Sequence, residues 1–328
     1  MRNHEVTAEQ PLLDEKGRIS EPGWARRQVW KYEREKITAP KYRIKERDYY
    51  LVMNEGYAAA FTLSDDGYMG LQSVSLLNLK ERWEHTETVL TPFPMGKMKM
   101  PSSSSEGNIV YKDKRLRMEF KVEEGKRMIS CDFKDFYQGK PFYCEIALDQ
   151  PRMDTMAIAM PWSGKNAFYY NQKINCMPAE GYMAYDDVTY WFNPKTDYGT
   201  LDWGRGVWTY DNTWYWSSGN GTVGGRPFGF NIGYGLGDTS AATENILFYD
   251  GKGHKLDDVT FHIPEENCMK LWTFTSGDGR FEMEFEPVLD CAAGISMLAL
   301  SSDQHQVFGK MSGTVVLDDG KFIELKDF

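Results

Sequence analysis

The sequence predicts an all-β protein, and three observations carry the expectation. Aromatic side chains make up 14% of the 328 residues, with 19 Tyr, 18 Phe and 10 Trp, types that suit a pleated, half-buried surface better than a helix. The 30 Gly and 14 Pro supply many turns. Apolar residues recur with period two wherever the pattern is clear.

In chain order, Asp66-Gly67 is the first hairpin signal. The stretch Val74–Glu84 (VSLLNLKERWE) fits either an amphipathic helix or a strand followed by a turn, and periodicity leaves both open. Residues 91–107, with their prolines, glycines and serine run, read as a mobile surface loop. Leu116, Met118, Phe120 and Val122 alternate with Arg117, Glu119 and Lys121, giving a strand with one wet face, and Glu124-Gly125 turns the chain back. A break at Asn193-Pro194-Lys195 suggests two parts, 1–195 and 196–328. Beyond it, Asp250-Gly251 and Asp319-Gly320 mark further hairpins, and Val259/Phe261/Ile263 and Phe281/Met283/Phe285 repeat the alternation. Many short antiparallel strands must hide their edges, so barrels or sandwiches are expected.

Composition removes several function classes. A net charge of -10 without a dense basic stripe disfavours nucleic acid and anionic membrane surfaces as partners. The N-terminus, MRNHEVTAEQ, is polar where a signal peptide is apolar, so a cytoplasmic protein without stable membrane insertion is expected. The five cysteines are widely spread and read as buried free thiols, and the five histidines lack any short ligand spacing, so no metal and no cofactor are expected. No serine sits in a nucleophile elbow. Gly233-Tyr-Gly235-Leu-Gly237 has the wrong spacing for a dinucleotide loop.

The densest chemistry lies at Asp202-Trp203-Gly-Arg205-Gly-Val-Trp208-Thr-Tyr210, continuing to Trp214-Tyr-Trp216. Each buried indole N–H needs a partner, so four tryptophans in so short a stretch imply recognition of a ligand as well as core filling. Residues two apart in a strand share a face, so Trp208 should point with Tyr210 and Trp214 with Trp216, lining one wall. Asn231 and the run Thr243-Glu244-Asn245 are the nearest polar candidates. A Glu244 set in such a wall would have its pKa raised by desolvation and become a proton donor, while Arg205 beside Asp202 would keep that aspartate ionised. The alternative is structural: Asp202 and Arg205 as a buried pair closing a barrel, with Glu244 and Asn245 satisfying loop amides. Asp278-Gly-Arg280 reads as a tight turn with a local ion pair.

Taken together, these residues resemble the bacterial domain-of-unknown-function family 2804. The likeness runs from Pro11-Leu-Leu-Asp14, Gly17 and Pro22-Gly-Trp-Ala-Arg26 through Asp202-x-x-Arg205-Gly-x-Trp208-x-Tyr210, Trp214 and Trp216. It continues through Gly229-x-Asn231-x-Gly233, Thr243-Glu-Asn245, Asp278-Gly-Arg280 and Gln306-x-Phe308-Gly309. That family is similar to a wider group of two-domain lipocalin-like proteins that includes carotenoid hydratases and tocopherol cyclases. The resemblance implies two packed antiparallel lipocalin-like β-barrel domains with ligand space inside or between them.

The reading that results is a protein enclosing a small, apolar organic ligand. Cofactor-free hydration, cyclisation or isomerisation would use Glu244 or Asp202 as proton donor and Arg205 as electrostatic partner. Trp203, Trp208, Tyr210, Trp214, Trp216, Asn231 and Asn245 would contact the ligand. A glycan-binding or glycan-processing protein and a non-catalytic carrier are the alternatives, because aromatic faces with polar edges suit sugar rings as well.

Overall fold

In a computed structural model, strands account for 59% of the residues and helix for 2%. All residues are described except 1, 210–212, 236, 298 and 299, and the side chains of 292–297 and 300–304 also lie outside the description.

Three short strands open the chain: β1 (Gln10–Pro11), β2 (Gly23–Ala25) and β3 (Trp30–Lys31). A long series follows, β4 (Lys45–Met53), β5 (Tyr57–Asp65), β6 (Met69–Asn78), β7 (Trp83–Pro92), β8 (Ile109–Lys112), β9 (Leu116–Glu123), β10 (Lys126–Tyr137) and β11 (Lys140–Asp149). Next come β12 (Met156–Pro161), β13 (Phe168–Tyr185), β14 (Val188–Phe192) and β15 (Tyr198–Val207). With β2, strands β4 to β15 form one 13-stranded antiparallel sheet, ordered β7-β6-β5-β4-β15-β13-β11-β10-β9-β8 along its main path and curled into a half-barrel.

The second half contains β16 (Tyr215–Val223), β17 (Arg226–Tyr234), β18 (Ile246–Tyr249) and β19 (Lys252–Lys255), which form a four-stranded sheet. A five-stranded sheet follows, β20 (Val259–His262), β21 (Trp272–Ser276), β22 (Phe281–Met297), β23 (Leu300–Val316) and β24 (Phe322–Leu325). Phe228, Phe230, Leu247, Phe274, Phe281 and Val315 form a core shared by these two sheets. The N-terminal segment ties the halves together, because Arg26 bonds Asp154 Oδ2 and Gly253 O, each at 2.8 Å.

The alternating runs behave as their period requires: Leu116, Met118 and Phe120 are buried while Arg117 and Lys121 face solvent. All four Xaa-Gly signals sit at hairpin turns, and at Asp250-Gly251 both residues take the positive φ (50° and 78°) that a tight antiparallel turn needs. Val74–Glu84 resolves as strand and turn, since β6 and β7 pair directly with Asn78 opposite Trp83.

Two expectations are corrected. The division at 195/196 falls within the first sheet: β15 pairs with β13 on one side and β4 on the other, so that sheet runs on to Val207. The segment expected as a mobile surface loop is anchored inward. Met100 and Ser104 are buried, Pro101 O accepts bonds from Arg205 Nε and Nη2 at 3.2 and 2.8 Å, and Ser104 O accepts one from Arg127 at 2.6 Å. Its turn-forming residues shape a plug whose carbonyls answer buried guanidinium groups.

Candidate functional site

Three central strands of the half-barrel set the site by register. Across β4, β15 and β13, Tyr49, Asp202 and Lys173 stand in one row, Arg47, Gly204 and Asn171 in the next, and Lys45, Gly206 and Tyr169 in the third. These residues share one face because each row is two residues from the next. The intervening positions, Asp48, Trp203, Gln172, Glu46, Arg205 and Tyr170, face the opposite way, into the half-barrel.

That opposition separates Asp202 from Arg205. They are three apart on a strand, so the expected pair does not form. Arg205 is fully buried and bonds Asp48 Oδ1 at 2.7 Å, and its guanidinium lies 4.1 Å from the Trp203 ring centre. Trp203 is equally buried, edge-on to Tyr170 with centroids 5.3 Å apart. Neither residue reaches the other face. The interior around them is filled by Tyr32, Glu46, Asp48, Tyr50 and Arg127, leaving a cavity of about 10 Å³ beside Arg127, room for about one water.

Asp202 instead meets Lys173 Nζ at 2.7 Å and Asn171 Nδ2 at 2.6 Å. Lys173 is almost wholly buried, and its ammonium lies 4.8 Å from the Trp216 ring centre. Trp216 is edge-on to Tyr49 at 6.0 Å, which places it over the first row. Trp208 is edge-on to Tyr169 at 5.4 Å, with Lys45 Nζ 5.0 Å from its centre, so it stands at the third row. Rows two apart on a strand are separated by roughly 13 Å. The two indoles therefore flank a shelf whose middle row carries Arg47 and Asn171 on either side of a glycine. A Cβ added at Gly204 would stand 3.5 Å from Asn171 Nδ2 and 3.9 Å from the Tyr169 ring, so the buried glycine leaves room for little more than a methyl group between them.

Glu244 borders this shelf and is held by the second half. Trp216 Nε1 donates to Asn231 Oδ1 at 2.6 Å, Asn231 Nδ2 donates to Glu244 O at 3.0 Å, and Gly233 N donates to Asn245 Oδ1 at 2.7 Å. A Cβ at Gly233 would lie 2.5 Å from Glu244 Oε2, so a side chain there would push the carboxyl group aside. Burial pushes the Glu244 carboxyl above its ordinary pKa and nearby Asp202 adds to the rise, while Lys173 and Lys255 oppose it. Its Oε1 is buried with no hydrogen-bond partner among the described residues. The Tyr169 phenol is raised well above its usual value, first by burial and then by Asp202 and Glu244. Lys255, which bonds Thr243 Oγ1 and Asn245 O at 2.7 Å each, is lowered to about 7 by burial.

Of the residues singled out in sequence, the fold brings together Asp202, Glu244, Trp208, Trp216, Asn231 and Asn245. Asn231 and Asn245 act through their neighbours, bonding the backbone around Glu244. Trp214 precedes β16 and is 47% exposed, and Tyr210 lies outside the described residues. Sequence reading missed Arg47, Tyr49, Tyr169, Asn171 and Lys173. The run Tyr169-Tyr-Asn-Gln-Lys173 carries no clear polar/apolar alternation that would have marked them. A larger cavity of about 240 Å³ lies elsewhere, lined by Arg152, Asn175, Cys176, Pro227 and Phe248 among others, and none of the predicted site residues lines it. Among the described residues, no helix is long and apolar enough to cross a membrane.

The interlocking of Asp202, Trp216, Asn231, Gly233 and Glu244 joins the segments on which the family likeness rests. The chain belongs to the family described as Domain of unknown function (DUF2804), which it matches over residues 3–328. A search of curated proteins finds no match. Among solved structures, CghA superposes with a TM-score of 0.52 at 9% identity, covering 97% of this chain and 95% of that one. Kievitone hydratase from Nectria haematococca superposes with a TM-score of 0.49 at 8% identity, covering 85% and 86%. At 9% identity the likeness to CghA is one of fold alone.

Proposed function

We propose that the shelf between Trp208 and Trp216 binds a small organic molecule and that Glu244 acts on it as a general acid. The observation that carries this reading is the state of Glu244: buried, lifted in pKa, and with an oxygen that no described residue engages. A general acid must hold its proton until it meets substrate, and desolvation favours the protonated form of a carboxyl. The Lys173 ammonium, held by Asp202, supplies positive charge where negative charge develops on the substrate. Arg47 and Asn171 offer polar contacts at the glycine floor, and the two indoles offer apolar faces.

The reaction class this supports is proton-transfer chemistry on an unsaturated ligand, namely hydration, cyclisation or isomerisation. Arg205 is replaced by Lys173 as the electrostatic partner, and Asp202 is the positioning anion, with the proton donor's role falling to Glu244.

The test begins with mass spectrometry of small molecules released from the natively purified protein, followed by turnover of the recovered ligand. Glu244→Gln should keep the fold and ligand-induced tryptophan quenching while conversion falls by about a hundredfold or more. An unfolded Glu244→Gln variant, or one as active as the parent, overturns the assignment. Quenching by oligosaccharides alone would move the ligand to the glycan class, and recovery of an unaltered ligand would make the protein a carrier.

A further inference from the structure

Outside the shelf, three side chains converge on a single point. Cys268 lies in the turn before β21, where its carbonyl accepts a 2.7 Å bond from Trp272 Nε1. Asp290 on β22 and His305 on β23 are diagonal neighbours on one face, because Asp290 pairs with Val307 and Ala292 with His305. Cys268 Sγ is 3.4 Å from Asp290 Oδ2 and 3.7 Å from His305 Nδ1, and Nδ1 is 2.7 Å from the same Oδ2.

Cysteine, histidine and a carboxylate serve either as a proton relay or as a chelate. A relay uses the two imidazole nitrogens separately, one toward the thiol and one toward the carboxylate. Here both groups address Nδ1, so that wiring is absent. A chelate needs three donor atoms facing a common centre. Around zinc, bonds of 2.0–2.3 Å give tetrahedral edges of about 3.3–3.7 Å. The two sulfur edges already have that length, and the Asp290–His305 edge needs to open by roughly half an ångström. Asp290 Oδ1 is buried with no hydrogen-bond partner among the described residues, so the carboxylate has a second oxygen to offer.

We propose that Cys268, Asp290 and His305 form a divalent transition-metal site, with zinc the occupant its S, O and N donors suit best. The three lie 15 to 37 residues apart in sequence, beyond any short ligand spacing. His305 is 47% exposed at its side chain, so the cluster can be reached from solvent.

Chelator-treated full-length protein titrated with Co²⁺ should develop a thiolate-to-cobalt charge-transfer band that saturates near one equivalent and is abolished by Zn²⁺. Cys268→Ser should lose the band, and His305→Gln should weaken Zn²⁺ binding by at least about tenfold in competition with a chromophoric chelator. Circular dichroism checks that both variants are folded, and Asp290→Asn provides a third ligand test. A parent protein without the band, an unchanged band in Cys268→Ser, or unchanged Zn²⁺ affinity in both His305→Gln and Asp290→Asn overturns the proposal.

Discussion

Lys173 Nζ meets Asp202 Oδ1 at 2.7 Å across the β13–β15 ladder, and the same ammonium lies 4.8 Å from the ring centre of Trp216 on β16. One buried cation thus links the first sheet to the second half. Removing it leaves Asp202 without its countercharge, and breaking such a pair costs roughly 3 kcal/mol. Lys173→Met should lose about that much in urea unfolding. Adding Asp202→Asn to Lys173→Met should recover part of the loss, a coupling that a double-mutant cycle reads directly.

Gly204 lies buried between Arg47 and Asn171, where an added methyl group would meet Asn171 Nδ2 at 3.5 Å, an ordinary van der Waals contact. The added Cβ fits without a clash and a glycine weakens a strand interior, so Gly204→Ala should leave the thermal midpoint unchanged or slightly raised. It should also fill the shelf. The expected outcome is retained stability with loss of ligand-induced tryptophan quenching, measured side by side in thermal and fluorescence titrations.

Arg205 belongs to the core. It bonds Asp48, Pro101 O, Arg47 O and Gly204 O from a fully buried position. Arg205→Ala leaves Asp48 without its partner in the interior and should destabilise the protein by about 3–5 kcal/mol. It also removes the anchor of Pro101, so limited proteolysis should cut within residues 93–108 faster than in the parent.

Lys255 titrates near neutrality in the fold, lowered from 10.5 to about 7 by burial. Between those values the unfolded chain holds the extra proton, so the contribution of Lys255 makes stability rise with pH across that window and leaves its full penalty below about 7. The slope from one group is at most about 1.4 kcal/mol per pH unit. Urea unfolding at pH 7 and pH 9 should show a larger gain for the parent than for Lys255→Met, and equal gains would refute the lowered value.

The period-two runs, the Xaa-Gly turns and the aromatic load determined the all-β fold, because each is a local property of strand and turn. The likeness of the motifs to one family was also legible, and so was the prospect that burial would lift Glu244. The opposition of Asp202 and Arg205 was available from strand geometry, three residues apart meaning opposite faces, yet their closeness in sequence suggested a pair. Only the tertiary structure decided the partners. Lys173, Arg47 and Asn171 stand beside Asp202 and Gly204 because the registers of three strands align them. Cys268, Asp290 and His305 meet through a turn and a diagonal across a ladder. Cross-strand register joins residues remote in sequence, and no local pattern encodes which of them will face each other.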